Sequence, residues 1–263
     1  MRPNRLKQLW REGKPALGVW VSTGDPYVVE SLAHAGFDWV LIDMQHGMGI
    51  DVGRVVACLQ ALSGAEAVPL VRLPWNQPEY FQWVLDAGAY GVLVPLVNTP
   101  EDARRAVLAC RYPPLGNRSF GPNRARLYGP DYYERANEEV VLIVQVEHIE
   151  AVRQAEAIAR VEGVDALYIG PADLAISMGL PPGLDVKDPQ HVGACRQVLE
   201  AARAAGKVAG IHCAGPQEVV RRFQEGWMFC PAGSDIGFVN AGARQAVEVV
   251  RGVRPAEARG VYG

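Results

Sequence analysis

Basic residues are not in excess in this 263-residue chain: 26 Lys and Arg stand against 29 Asp and Glu, a formal net charge of -3. Without a positive surplus to neutralise phosphates, a nucleic-acid partner or an anionic membrane surface is disfavoured. No apolar stretch reaches the ~18 residues that a membrane span requires. Nor does a long apolar run follow the basic residues of MRPNRLKQLWREGKPALGVWV, so no secretory signal is expected. The five cysteines, Cys58, Cys110, Cys195, Cys213 and Cys230, contain no CxxC pair. That excludes a CxxC-type zinc ribbon, disfavours a disulfide scaffold and points to the cytoplasm. A GxGxxG after the first apolar run, the fingerprint of an open dinucleotide-binding sheet, is also missing.

What is present is a rhythm. Short apolar runs at 17–22, 38–43, 67–73, 90–95, 140–147, 165–170, 207–213 and 227–233 alternate with helix-like segments. Those segments are 26–36, 51–63, 77–88, 100–111, 148–160, 189–205, 216–226 and 238–251. Several runs are continuously apolar rather than alternating, as in strands covered on both faces of a parallel sheet. Pro26, Pro78 and Pro100 suit first helical turns, where a missing N–H loses nothing. Gly36, Gly88, Gly163, Gly206 and Gly226 fall where helices should stop. Eight such βα units in a chain of this length predict an α/β fold, a (β/α)8 TIM barrel, as one domain over residues 1–263. Residues 113–137, PPLGNRSFGPNRARLYGPDYYERAN, are expected to form a long loop. Its Arg118, Arg124 and Arg126 suit an anionic ligand, a subunit neighbour or a solvated surface.

A barrel builds its site from the C-terminal strand ends. There the second run supplies Asp43 and His46, a carboxylate and an imidazole suited to proton transfer. Arg72 interrupts the third run on the same face as Leu70 and needs an anion: a salt bridge inside the mouth, or a substrate carboxylate or enolate. Gln145 and Glu147 share the inward face of the fifth run, and Glu147 suits a hard cation. After the sixth run, Gly170-Pro171 opens a helix whose first turn carries the Ala172 and Asp173 N–H groups. Neighbouring strands let Glu147 and Asp173 converge on one metal, although Asp173 also reads as an ordinary helix-start acid. Trp20 and Tyr168 line a pocket or belong to the core. His34, His148 and His191 receive no role; His212 ends the seventh run. Asp86 reads as a surface acid unless it approaches His46 across a subunit boundary.

The stretches LGVWVS, FDWVLIDMQHG, PLVRLPWNQP, LDAGAYGVLVPLVNTPEDA, RYPPLGNRS, VQVEHIEAV and VEGVDALYIGPADLAISMG together resemble the HpcH/HpaI aldolases, metal-dependent class II pyruvate aldolases. The resemblance implies a barrel that assembles as a homohexamer, a trimer of dimers. It implies Glu147 and Asp173 as ligands of a divalent cation (Mg²⁺, Mn²⁺ or Co²⁺), and His46 as acid/base with Asp86 raising its basicity. Arg72 would stabilise the transition state. Gln145, Ala172 and Asp173 would hold the 2-oxo acid, with Trp20 beside it. The implied substrates are a 2-oxo acid (pyruvate) and an aldehyde. Two departures stand out: Gln45 where a Glu is common, and His212 near a position that is often aliphatic. A Schiff-base route needs a strand-end lysine, and Lys207 begins its run instead. The runner-up activity is a malyl- or citramalyl-CoA lyase, disfavoured by the lack of a basic patch for CoA. A non-catalytic oxo-acid-binding barrel is the third reading.

Overall fold

The computed structural model describes residues 1–252; the end of the expected domain, 253–263, lies outside the described residues. Eight parallel strands close into a barrel in chain order: β1 (Ala16–Val21), β2 (Trp39–Asp43), β3 (Val68–Arg72), β4 (Gly91–Val94), β5 (Val141–Val146), β6 (Ala166–Ile169), β7 (Val208–Ile211) and β8 (Phe229–Ser234). Each lies inside or within a residue of an apolar run read from the sequence. Every residue of β2 to β6 is buried, which is why those runs are apolar on both faces.

The helices are α1 (Arg5–Arg11), α2 (Pro26–Ala33), α3 (Val52–Ala61), α4 (Pro78–Asp86), α5 (Pro100–Cys110), α6 (Tyr132–Glu139), α7 (Ile149–Arg153), α8 (Ala155–Ala159), α9 (Pro171–Ser177), α10 (Pro189–Ala204), α11 (Pro216–Glu225) and α12 (Asp235–Arg251). Proline occupies the first turn of α2, α4 and α5 as expected. Aromatic rings pack together between the strands, Phe229 against both Trp39 and Tyr168. Trp39 stacks on Phe229 at 4.1 Å. Gly18 is required there, because an added Cβ would come within 1.9 Å of the Trp39 ring.

Four segments differ from the sequence reading. Residues 148–160 form two short helices split at Gln154 rather than one. Residues 113–137 are not simply loop: a 3-10 turn spans Ala125–Tyr128 and α6 begins at Tyr132. Helix α6 buries Tyr132 and Ala136, a stripe too short to show a period. Helix α1 was not anticipated; Asn4 caps it, donates to the Tyr90 carbonyl and buries Leu6. Helix α12 starts at Asp235, three residues early, and only Asp235 of its length is buried.

Asp235 ties the ends of β8 and β1 together. Its carboxylate accepts from the backbone and hydroxyl of Ser22 (3.0 and 2.9 Å) and of Thr23 (2.9 and 2.6 Å). Burial alone would raise its pKa, but these bonds favour the charged form and hold it below the usual carboxylate value. Asp235→Ala leaves buried donors unpaired and is expected to destabilise the fold by about 3 kcal/mol. The lowered pKa means this contribution is present above about pH 4 and fades as pH falls through the folded value. Urea unfolding at pH 7 and pH 3 should show a large difference from wild type at the first and a smaller one at the second.

Candidate active site

Strands β2 and β3 pair Asp43 directly with Arg72 in register. Arg72 therefore meets its anion inside the mouth: Nε donates to Asp43 Oδ1 at 2.8 Å and Nη2 to Oδ2 at 2.6 Å. Of the two options for this arginine, the internal salt bridge is the one observed. The guanidinium also lies 4.4 Å from the Trp20 ring. Among the described residues Nη1 makes no hydrogen bond, so one edge of the fork stays free for an incoming anion.

Asp43 does a second job. Its Oδ1 accepts from the Gln45 and His46 amides at 3.0 and 3.3 Å, a turn that fixes the start of the β2–α3 loop. The His46 side chain projects from that turn into solvent at the rim. Asp43 was recognised in the sequence as a carboxylate at a strand end; its partnership with Arg72 was not, because it depends on the register of β2 against β3.

Glu147, one residue past β5, is 4% exposed. Its Oε1 accepts from the Leu96 amide at 2.8 Å and its Oε2 from Gln145 Nε2 at 2.5 Å. Leu96 holds a positive φ of 56° to aim that amide, and nothing in the sequence signals it. Burial pushes the Glu147 carboxyl up to about 7; the Leu96 bond, Arg72 and Gln145 oppose the rise, and the charge of Asp173 adds to it. Asp173, in the first turn of α9, is exposed, and Ala172 beside it is buried. Gly170 makes this approach possible: a Cβ there would come 2.8 Å from Gln145 Nε2 and 3.0 Å from Glu147 Oε2.

Buried polar atoms of the rim without a partner among the described residues include Gln145 Oε1, Trp20 Nε1 and Gln45 Oε1. Trp20 packs edge-on against His212 at 4.9 Å, and His212 Nδ1 lies 3.0 Å from the Tyr168 hydroxyl. Burial, then the charge of Arg72, pushes His212 down to about 4, so it is neutral near pH 7.

Asp86 stands apart. It ends α4, at the N-terminal side of the barrel, whereas His46 follows the C-terminal end of β2. Its carboxylate accepts from Arg118 at 2.8 Å and from Gln82. Arg124 donates to the Ala87 and Leu59 carbonyls, so two of the three loop arginines bind 113–137 to α3 and α4 rather than face a ligand. Within one chain, then, Trp20, Arg72, Gln145, Glu147, Ala172 and Asp173 gather at the rim with His46 at its edge, and Asp86 does not join them.

A closed parallel barrel with acid, imidazole and guanidinium groups at its C-terminal rim has the build of a barrel enzyme. The HpcH/HpaI aldolase/citrate lyase family model matches residues 16–240. A hydroxypyruvate/pyruvate aldolase of Rhizorhabdus wittichii is 39% identical over 94% of this chain and 99% of its own length. A 4-hydroxy-2-oxo-heptane-1,7-dioate aldolase of Klebsiella pneumoniae is 38% identical over 91% of each. A family protein from Burkholderia cenocepacia superposes with a TM-score of 0.87 at 37% identity, covering 94% of this chain and 99% of that one. This chain belongs to the HpcH/HpaI aldolase/citrate lyase family and is a carbon–carbon lyase of the class II aldolase type.

Proposed function

We propose that the chain, as a single barrel domain, cleaves and forms 4-hydroxy-2-oxo acids, with pyruvate or a close 2-oxo acid as the constant partner and an aldehyde as the variable one. The names of the relatives at 38–39% identity support that substrate class. The observation that carries the reading is the Glu147 carboxyl, taken out of water beside the charge of Asp173 with an unpaired Gln145 oxygen next to it. Two carboxylates so placed repel unless a cation lies between them, so the donor set fits a hard divalent ion. Glu147 and Asp173 would hold Mg²⁺, Mn²⁺ or Co²⁺, and the ion would supply positive charge for the carboxylate and 2-oxo oxygens of the substrate.

The chain's own residues do the rest. His46 takes the proton from the C4 hydroxyl, the C3–C4 bond breaks, and the aldehyde leaves. The electron pair passes into the 2-oxo acid as an enolate, whose developing charge faces the free Nη1 edge of Arg72. Asp43 keeps that guanidinium oriented. Gln145 and the Ala172 amide orient the oxo acid, and Trp20 closes the side of the pocket against His212. Protonation at C3 completes pyruvate. The two departures bear on the aldehyde: Gln45 removes a charge next to His46, and neutral His212 places a polar ring where an aliphatic side chain would give none.

A homo-oligomer, a trimer of dimers, belongs to this reading. It is supported by α12, whose Phe238, Val239, Val247 and Val250 are exposed. In such an assembly Asp86 of one subunit would approach His46 of another. The cytoplasm fits five cysteines that are all free and buried. Among the described residues no helix is long and apolar enough to cross a membrane.

The test is a pyruvate-release screen of 4-hydroxy-2-oxo acids with malyl-CoA as comparator. The expected result is turnover of oxo acids alone, and His46→Ala should lower kcat about 10²- to 10⁴-fold while leaving pyruvate binding intact. Turnover of malyl-CoA instead would favour the CoA-thioester lyase. Oxo-acid binding without turnover in the wild type would favour a sensor.

A further inference from the structure

His191 was given no role by the sequence, yet it is 2% exposed and touches the turn that carries half of the proposed cation site. The start of α9 has no side-chain cap, as is also true of α11 at Gly215. Its N-cap is Gly170, which has no side chain to bond the free amides of the first turn. A Cβ there would come 2.8 Å from Gln145 Nε2 and 3.0 Å from Glu147 Oε2, so a larger residue would have to displace that hydrogen-bonded pair. The turn presenting Ala172 and Asp173 thus has no side-chain cap of its own, and a contact from outside can hold it. His191 Nε2 lies 2.9 Å from the carbonyl oxygen of Pro171, the first residue of α9. A carbonyl can only accept, so the proton sits on Nε2 and Nδ1 is bare. The Cys195 thiol, 3.7 Å away and one turn further along α10, faces that bare nitrogen and favours the same tautomer. His191 is itself anchored, since Asp188 caps α10 by accepting from the Gln190 and His191 amides. The chain of contacts runs Asp188 to His191 to Pro171, and two residues later the chain reaches Asp173.

We propose that His191 is a positioning residue: its bond to Pro171 fixes the turn that presents Asp173 and the Ala172 amide to the cation and the oxo acid. This rests on the metal-dependent reading above. An imidazole is suited to the task because it combines a rigid donor with an apolar body that fits a buried helix face. Leucine fills the space without the donor. Glutamine retains a donor of similar reach, and asparagine retains one that falls short.

The test is Mn²⁺ titration of chelator-treated protein, with free Mn²⁺ followed by electron paramagnetic resonance and Tm measured on the same samples. His191→Leu is expected to weaken Mn²⁺ binding about 10-fold, the lower end of effects from groups that orient a ligand. It should raise KM for the oxo acid and leave kcat within about 2-fold of wild type. His191→Gln is expected to recover most of both. Wild-type Mn²⁺ affinity in His191→Leu, whatever its Tm, overturns the proposal and leaves His191 a packing residue. Should His191→Leu not fold, the contrast between His191→Gln and His191→Asn decides in the same way: equal affinities overturn it. A wild-type protein that binds no Mn²⁺ instead overturns the metal reading on which the proposal stands.

Discussion

Glu147→Gln is expected to lower kcat about 10³-fold or more, because the proposed site would lose a cation ligand and with it several kcal/mol of charge stabilisation in the transition state. The same change should stabilise the metal-free fold. The folded pKa of Glu147 lies near 7, above its ordinary value, because burial penalises the charged carboxylate and Asp173 adds repulsion. Metal-free stability from this group is therefore full at pH 4 and is lost as pH rises through 7. Glutamine carries no such charge and still offers an oxygen to the Leu96 amide. In chelator, the variant should equal wild type near pH 4 and exceed it at pH 8 by on the order of 2–3 kcal/mol. Thermal melts at the two pH values read the difference. A variant less stable than wild type at pH 8 would contradict the account of this carboxyl.

Arg72→Lys is expected to lower kcat about 10²- to 10³-fold, the scale seen when one preorganised donor to an oxyanion is removed. A lysine keeps the charge but loses the two-point bond to Asp43, the contact with Trp20 and the second edge that faces the substrate. Arg72→Ala goes further: it leaves the Asp43 carboxylate buried without its partner, a loss of about 3–5 kcal/mol in stability. Steady-state kinetics on the lysine variant and urea unfolding of the alanine variant separate the two roles. Unchanged kcat in Arg72→Lys would reduce the arginine to a structural bridge.

The barrel was legible because its signal is local. Strands buried on both faces are apolar along their length, and helix-start prolines punctuate them. Arg72 and Glu147 were legible because a charged residue within or just beyond an apolar strand demands a reason. Their partners were not. The Asp43–Arg72 pair requires the register of β2 against β3, and the Leu96 amide requires a backbone angle that leucine seldom takes. His191 looked like a helix residue because its target, the Pro171 carbonyl, is a backbone atom twenty residues away and leaves no mark on composition. His148 was likewise left without a role and caps α7. The three arginines of 113–137 suggested an anion; two of them instead bond to the protein's own carbonyls and to Asp86, because a loop this long needs pins to stay folded.

In the proposed mechanism cleavage depends on a divalent ion held by Glu147 and Asp173. Pyruvate release from a 4-hydroxy-2-oxo acid by chelator-treated enzyme, before and after Mn²⁺ or Mg²⁺ is restored, reads that dependence. Activity absent in chelator, returned by the metal to wild type and not returned to Glu147→Gln, is the expected result. Full turnover in chelator would contradict it.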